Sequence, residues 1–169
     1  GHYEADNRCL EGLSSLILDR PNKQAYGTFS ARTDRDLAVK WCDMMGYEPF
    51  LFEPASHTGD PIYHSDVMMH LGTEFVGICA ESIKPESRGK VMDALRKHRD
   101  VVELDMVQIR AFAGNALEVK GQGDKPMLIM SQSGYESLTD KQRDHYLKYV
   151  DRFITPSLPT VQHYGGGAA

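Results

Sequence analysis

The apolar positions fall into three successive blocks that share one internal order. Residues 14–18 and 25–29 form short β-rich runs, a helical pattern follows from about 34 to 45, and another strand-like run occupies 48–52. Within that helix Leu37, Trp41 and Met44/Met45 recur on one face, Thr33-x-x-Asp36 supplies a start signal, and Gly46 supplies a stop. The second block repeats the order: strands at 67–71 and 74–79, a helix over about 86–98 presenting Val91, Leu95 and His98, and a strand at 101–104. In the third, strands at 116–120 and 127–130 flank a Gly121-Gln122-Gly123-Asp124 turn, a helix opens at Thr139-x-x-Gln142, and a short strand is expected near 160–163. Three strand, strand, helix, strand units predict an α/β repeat architecture, with modules of approximately 1–56, 57–110 and 111–169.

Each block carries a polar residue just ahead of its first expected strand: Glu11, His64 and Asn115, 53 and 51 residues apart. A propeller-like array brings such strand ends toward a common axis, so residues at this spacing are expected to converge on one pocket. The next slot falls near residue 168, within the terminal Gly165-Gly166-Gly167-Ala168-Ala169. Glycines there would let backbone N–H groups approach a ligand, or would simply make a tight turn. His64 and Asp66 stand two apart at the head of an expected strand, where a period of two points both side chains to one side. A histidine beside a carboxylate is poised for proton transfer near neutral pH, and the carboxylate is free to grip a cation.

Composition sets outer limits. At 169 residues, 41% hydrophobic and 25% charged, the chain has the makeup of an ordinary globular domain with a sizeable core. A formal charge of -5 without a basic stripe argues against nucleic acid or an anionic membrane as partner and for a small molecule or another protein. Cys9, Cys42 and Cys79 show no CxxC or Cys/His spacing, so neither a disulfide framework nor a zinc site is indicated, and a reducing, cytoplasmic compartment is expected. His2, His57, His70, His98, His145 and His163 likewise share no spacing that suggests a metal. No apolar run reaches the roughly 18 residues of a membrane span. The chain opens on Gly1 rather than methionine, and both ends read as cut.

Four ordered motifs carry a resemblance: Glu4-Ala5-Asp6-Asn7-Arg8-Cys9-Leu10-Glu11-Gly12, Tyr63-His64-Ser65-Asp66-Val67-Met68-Met69, Phe112-Ala113-Gly114-Asn115-Ala116-Leu117-Glu118 and the terminal Gly165-Gly166-Gly167. Over essentially its whole length the chain resembles the guanidine-modifying enzymes, the amidinotransferase and arginine deiminase superfamily called penteins, and most of all the citrulline-utilisation hydrolase branch. The resemblance implies a five-bladed α/β propeller of ββαβ modules, of which about three lie in this chain as the C-terminal part of a single domain. It also implies a missing N-terminal portion. Glu11 matches the family's catalytic glutamate, His64 its catalytic histidine, Asp66 the aspartate that contacts the guanidinium, and Asn115 a structural or pocket-lining asparagine. The family nucleophile is a cysteine after a Gly-rich segment, which here would fall about two residues beyond Ala169. The nearest branch often has asparagine in place of Asp66, whereas aspartate is more like the arginine deiminases.

The resemblance thus implies a hydrolase of a guanidino or ureido group working through a cysteine thiouronium intermediate, without cofactor or metal. Asp6, Arg8, Gly166 and Gly167 are further candidates for substrate contacts, Asp6 and Arg8 as holders of a substrate carboxylate or as parts of a local loop network. An amidinotransferase and a non-catalytic guanidino-binding pseudoenzyme are the alternatives. An incomplete propeller leaves apolar faces open, so this stretch is expected to need the remainder of its polypeptide or a second copy of itself.

Overall fold

The computed structural model of the protein describes residues 2–55, 62–165 and 167. The first block folds as α1 (His2–Ala5), α2 (Gly12–Ser15), β1 (Ile17–Asp19), β2 (Gln24–Thr28), α3 (Arg35–Met45) and β3 (Glu48–Phe52). The second comprises α4 (Ser65–Met68), β4 (Met69–Leu71), β5 (Phe75–Ile78), α5 (Pro85–Arg96) and β6 (Asp100–Glu103). After α6 (Met106–Arg110) the third comprises β7 (Ala116–Lys120), β8 (Pro126–Met130), α7 (Gln132–Ser137), α8 (Asp140–Tyr146), β9 (Arg152–Ile154) and α9 (Pro159–Gly165). Among the described residues no helix is long and apolar enough to cross a membrane.

Each block builds its own three-stranded sheet with one topology: the middle strand is second in sequence, antiparallel to the first and parallel to the third. The first two strands can be joined directly, but a parallel return needs a crossover, which is why a helix separates the second strand from the third. Chain contacts define two compact units, Gly1–Asp66 with Glu81–Asp93, and Val67–Ala80 with Ala94–Ala169. The first is built on Leu16, Ala25, Ala38 and Cys42, with Tyr26 stacked on Phe50 at 5.2 Å. In the second, the buried Tyr146 meets Phe75 and Phe153 edge-on at 5.3 and 5.9 Å within a core that includes Leu128 and Met130.

Several expected elements are displaced, each for a physical reason. The strand expected at 14–18 is instead the turn of α2 followed by β1. Glu11 and Ser15 close that turn twice, through Ser15 N–H to the Glu11 carbonyl and Glu11 N–H to Ser15 Oγ, a relation that an extended chain cannot make. The strand expected at 67–71 likewise begins only at Met69, because Ser65–Met68 is helical. Asp66 therefore sits inside a helical turn, and the period-of-two argument for its orientation does not hold. Only Asn115 directly precedes a strand; Glu11 and His64 each precede a four-residue helical turn.

Asp34, not Thr33, caps α3: its carboxylate accepts Leu37 N–H, while the Thr33 hydroxyl is buried against Ser15 Oγ. The buried face of α3 is Ala38 and Cys42, leaving Met44 and Met45 71% and 51% exposed beside the left-handed Gly46 stop. On α5 Val91 and Leu95 are buried with Met92, but His98 lies past the helix end and is exposed. The last strand is β9, with Leu128 paired to Phe153, and residues 160–163 belong to α9, whose first residue is Pro159, a favoured opening for a helix. The Thr139–Gln142 capping box opens α8 as read, and an unforeseen Asp105–Gln108 box opens α6. The module boundary expected at 56/57 lies outside the described residues, as do His57 and Gly166.

Candidate active site

Two residues 53 apart in sequence meet in the first unit: His64 Nε2 lies 2.8 Å from Glu11 Oε2. A carboxylate can only accept, so this contact places the ring proton on Nε2. The α2 turn begins just after Glu11 and the α4 turn just after His64, so equivalent points of two modules present the pair. The His64 side chain is 14% exposed, and the Tyr63 ring meets it edge-on at 4.9 Å.

A third group completes the cluster. Arg32 Nη1 donates to both Glu11 oxygens, at 3.3 and 3.2 Å, from a side chain 56% exposed. The hydrogen bond from His64, and then that from Arg32, hold the Glu11 carboxyl below the usual glutamate range against the opposing cost of desolvation. Tyr63 shifts the other way: burial, then the charge of Asp66, pushes its phenol up. Asp66 is half-buried in this unit, and Ser30 Oγ donates to the Tyr63 carbonyl at 2.6 Å, tying the loop before Arg32 to the segment before His64. A groove of about 470 Å³ opens between Phe29, Ser30, Asp34, Arg35 and Glu53, and neither Glu11 nor His64 lines it.

Arg8 lies elsewhere in the same unit. It grips Asp34 through Nε and Nη2 at 3.0 and 2.8 Å and also reaches Asp36 at 3.0 Å, while Asp6 is exposed. The Arg8 guanidinium, with the Leu37 N–H, lowers the Asp34 pKa to about 2. A depressed carboxylate stabilises the fold fully above its ordinary value of 3.8, and that contribution disappears as pH falls through about 2. Arg8→Ala is therefore expected to lower the melting temperature at pH 7, with the gap to wild type closing between about pH 4 and pH 2; a gap of constant size across that range would contradict it.

In the second unit, Asn115 is buried at the start of β7, and a Cβ added to Gly167 would lie 3.6 Å from its Oδ1. The preceding loop carries Phe112 at φ 67, a left-handed conformation rare for a bulky residue. Of the cysteines, Cys42 and Cys79 are buried and Cys9 is half-buried, all as free thiols. Motif reading did not single out Arg32, because a lone arginine in a polar loop carries no periodic signal. Its distance of 21 residues from Glu11 acquires meaning only when the chain is folded.

The family described as N,N dimethylarginine dimethylhydrolase, eukaryotic, has a model that matches residues 1–169. Among curated protein sequences, none matches. Among solved structures the chain is similar to apo ArgZ, an arginine dihydrolase from the ornithine-ammonia cycle in cyanobacteria, at 16% identity and a TM-score of 0.72 over 94% of this chain and 23% of that one. It is also similar to a cysteine-to-alanine mutant of AgrE in complex with L-arginine, at 15% identity and a TM-score of 0.74 over 94% of this chain and 22% of that one. A substrate-bound agmatine deiminase from C. jejuni matches at 10% identity and a TM-score of 0.53, over 91% of this chain and 52% of that one. The chain thus spans from under a quarter to about half the length of these proteins, and at such identities the likeness speaks for the fold: three ββαβ modules of the pentein α/β propeller. With a family model spanning every residue, the chain belongs to the N,N dimethylarginine dimethylhydrolase family within the guanidine-modifying pentein superfamily.

Proposed function

We propose that this chain supplies the glutamate and histidine of a guanidino-group hydrolase. The observation that carries the reading is the Glu11–His64 contact at 2.8 Å between equivalent points of two modules. A guanidinium is a planar cation with several N–H donors, suited to the carboxylates of Glu11 and Asp66. A thiolate would add to its central carbon, and the C–N bond to the leaving nitrogen would break as His64 delivers a proton to that nitrogen. His64, now neutral, would take a proton from water as its oxygen attacks the thiouronium carbon. Collapse would expel the thiolate and leave a ureido product. The thiolate is assigned, as the family pattern implies, to a cysteine after a Gly-rich segment; Cys42 and Cys79 are buried and Cys9 is half-buried. These residues alone would then bind substrate without turning it over. The role that the resemblance assigns to Asn115 is part of this proposal.

Incubating the complete protein with L-arginine, N,N-dimethylarginine and agmatine tests the reading. Release of ammonia or dimethylamine with a ureido product supports it, transfer of the amidino group to an added amine would indicate the amidinotransferase, and binding without turnover would indicate a pseudoenzyme.

Arg32 is assigned to the carboxylate of an amino-acid substrate, since it is a half-exposed cation beside the guanidinium-binding Glu11. Arg32→Ala should raise KM for arginine or dimethylarginine about 10- to 100-fold, the scale of a lost charge-assisted bidentate pair, and alter kcat little. Agmatine, which lacks the carboxylate, should show no such rise; an equal rise for agmatine would remove this assignment.

A further inference from the structure

We infer that Ser15 is a positioning residue for this site, one that sets Glu11, Arg32 and the His64 segment relative to one another. The inference rests on the reading of Glu11 and His64 as the working pair. Ser15 Oγ accepts the Glu11 N–H at 2.9 Å and the Thr33 hydroxyl at 2.8 Å, and donates to the Arg32 carbonyl at 3.1 Å. A hydroxyl offers one proton and two lone pairs, so its capacity is fully used. The carbonyl of Ser15 accepts the Ser65 hydroxyl at 2.7 Å, and Ser65 Oγ in turn accepts Thr28 N–H at 2.9 Å. Ser65 is the residue after His64. One serine therefore joins the three segments that carry the carboxylate, the cation and the histidine.

The web is buried and closely packed. Ser15, Ser65 and Thr28 are 0% exposed and Thr33 is 1% exposed. Gly27 on β2 leaves room for it: a Cβ there would lie 2.9 Å from the Ser15 carbonyl oxygen. Without the Ser15 hydroxyl, Glu11 N–H retains only its 3.3 Å contact with the Arg32 carbonyl, and the Thr33 hydroxyl loses its acceptor. Buried hydrogen bonds of this kind hold a reacting group in place because an orphaned polar group is costly. Ser15 itself touches neither Glu11's carboxylate nor the ring of His64, so its influence passes through the backbone.

The test uses the complete protein, with L-arginine and N,N-dimethylarginine as substrates and a thermal melt of each variant. Ser15→Ala should lower kcat/KM by about 10- to 100-fold, the scale of a small misplacement of reacting groups. The isosteric pair Ser15→Thr and Ser15→Val separates hydroxyl from volume: threonine should recover most of the loss and valine should not. Should the alanine variant fail to fold, this shape-matched pair carries the test. In a Glu11→Gln background Ser15→Ala should cost clearly less than in wild type, since a large part of its action passes through Glu11. Wild-type activity in Ser15→Ala, an equal loss in Ser15→Thr and Ser15→Val, or full additivity with Glu11→Gln would overturn the inference. A wild-type protein that turns over none of L-arginine, N,N-dimethylarginine and agmatine would instead overturn the reading of the site on which it rests.

Discussion

Turnover by the complete protein should fall about 10²- to 10⁴-fold when His64 is replaced by alanine, the range associated with loss of a general acid-base group. In the proposed cycle His64 acts twice, first protonating the leaving nitrogen and then activating water, so both half-reactions slow. The loss should appear in kcat, because Glu11 keeps Arg32 as a partner and can still receive a guanidinium. Folding should be nearly unaffected: the segment is held by Ser65, whose hydroxyl bonds to Ser15 and Thr28, and by Ser30 on the Tyr63 carbonyl. Glu11→Gln, by contrast, keeps the shape but removes the charge, and should raise KM as well as slow chemistry. Steady-state kinetics with detection of the released amine, alongside a thermal melt, decides the matter. A His64→Ala protein within about threefold of wild-type kcat would remove His64 from the acid-base role.

The largest expected structural effect is that of Gly114→Ala. A Cβ at this position would lie 2.1 Å from the Val67 carbonyl oxygen and 2.9 Å from Ile109 Cδ1. The first neighbour is backbone and has no rotamer to change. Nor is the loop free to retreat, because His70 Nδ1–H donates to the Gly114 carbonyl at 3.0 Å, and His70 is held by the Tyr146 hydroxyl at 3.2 Å. Gly77 makes space for that pair: a Cβ there would meet the His70 ring at 2.3 Å. Overpacking against such a site should cost about 3 kcal/mol and shift the urea midpoint down. Asn115 is the next residue and should move with it. A variant with a wild-type midpoint would show that the loop has slack.

His70 adds a pH signature. Burial pushes its pKa down from 6.5 to about 4, so between those values the unfolded chain takes up a proton that the folded one refuses. Stability should therefore fall as pH drops from about 6.5 to about 4. His70→Gln, which keeps a donor without the titration, should flatten that slope in thermal melts, and an unchanged slope would exclude His70 as its source.

Much of this was legible along the chain, because it is encoded over short distances. Alternating and helical apolar runs announced the order of strands and helices, and their recurrence gave Glu11 and His64 the separation that folding converts into a 2.8 Å contact. Capping followed local chemistry, as at Thr139 and Gln142. Misreadings came where a side chain answers to a distant partner. Ser15 and Ser65 look like strand residues in isolation, yet their hydroxyls satisfy groups 4 to 50 residues away and hold helical turns. Thr33 looks like a helix cap, but Ser15, 18 residues back, claims its hydroxyl and leaves Asp34 to cap. At the end of the chain, α9 buries no residue among those described, so no apolar period marked it as a helix.

The sequence by itself determined the modular order and the separation of Glu11 from His64, since hydrophobic period and repeat length are properties of the chain. Tertiary structure alone decided what surrounds that pair. The setting of Asp66 within a helical turn, the placement of Arg32 on Glu11 and the hydroxyl web beneath them depend on hydrogen bonds between segments that become neighbours only once the first unit has folded.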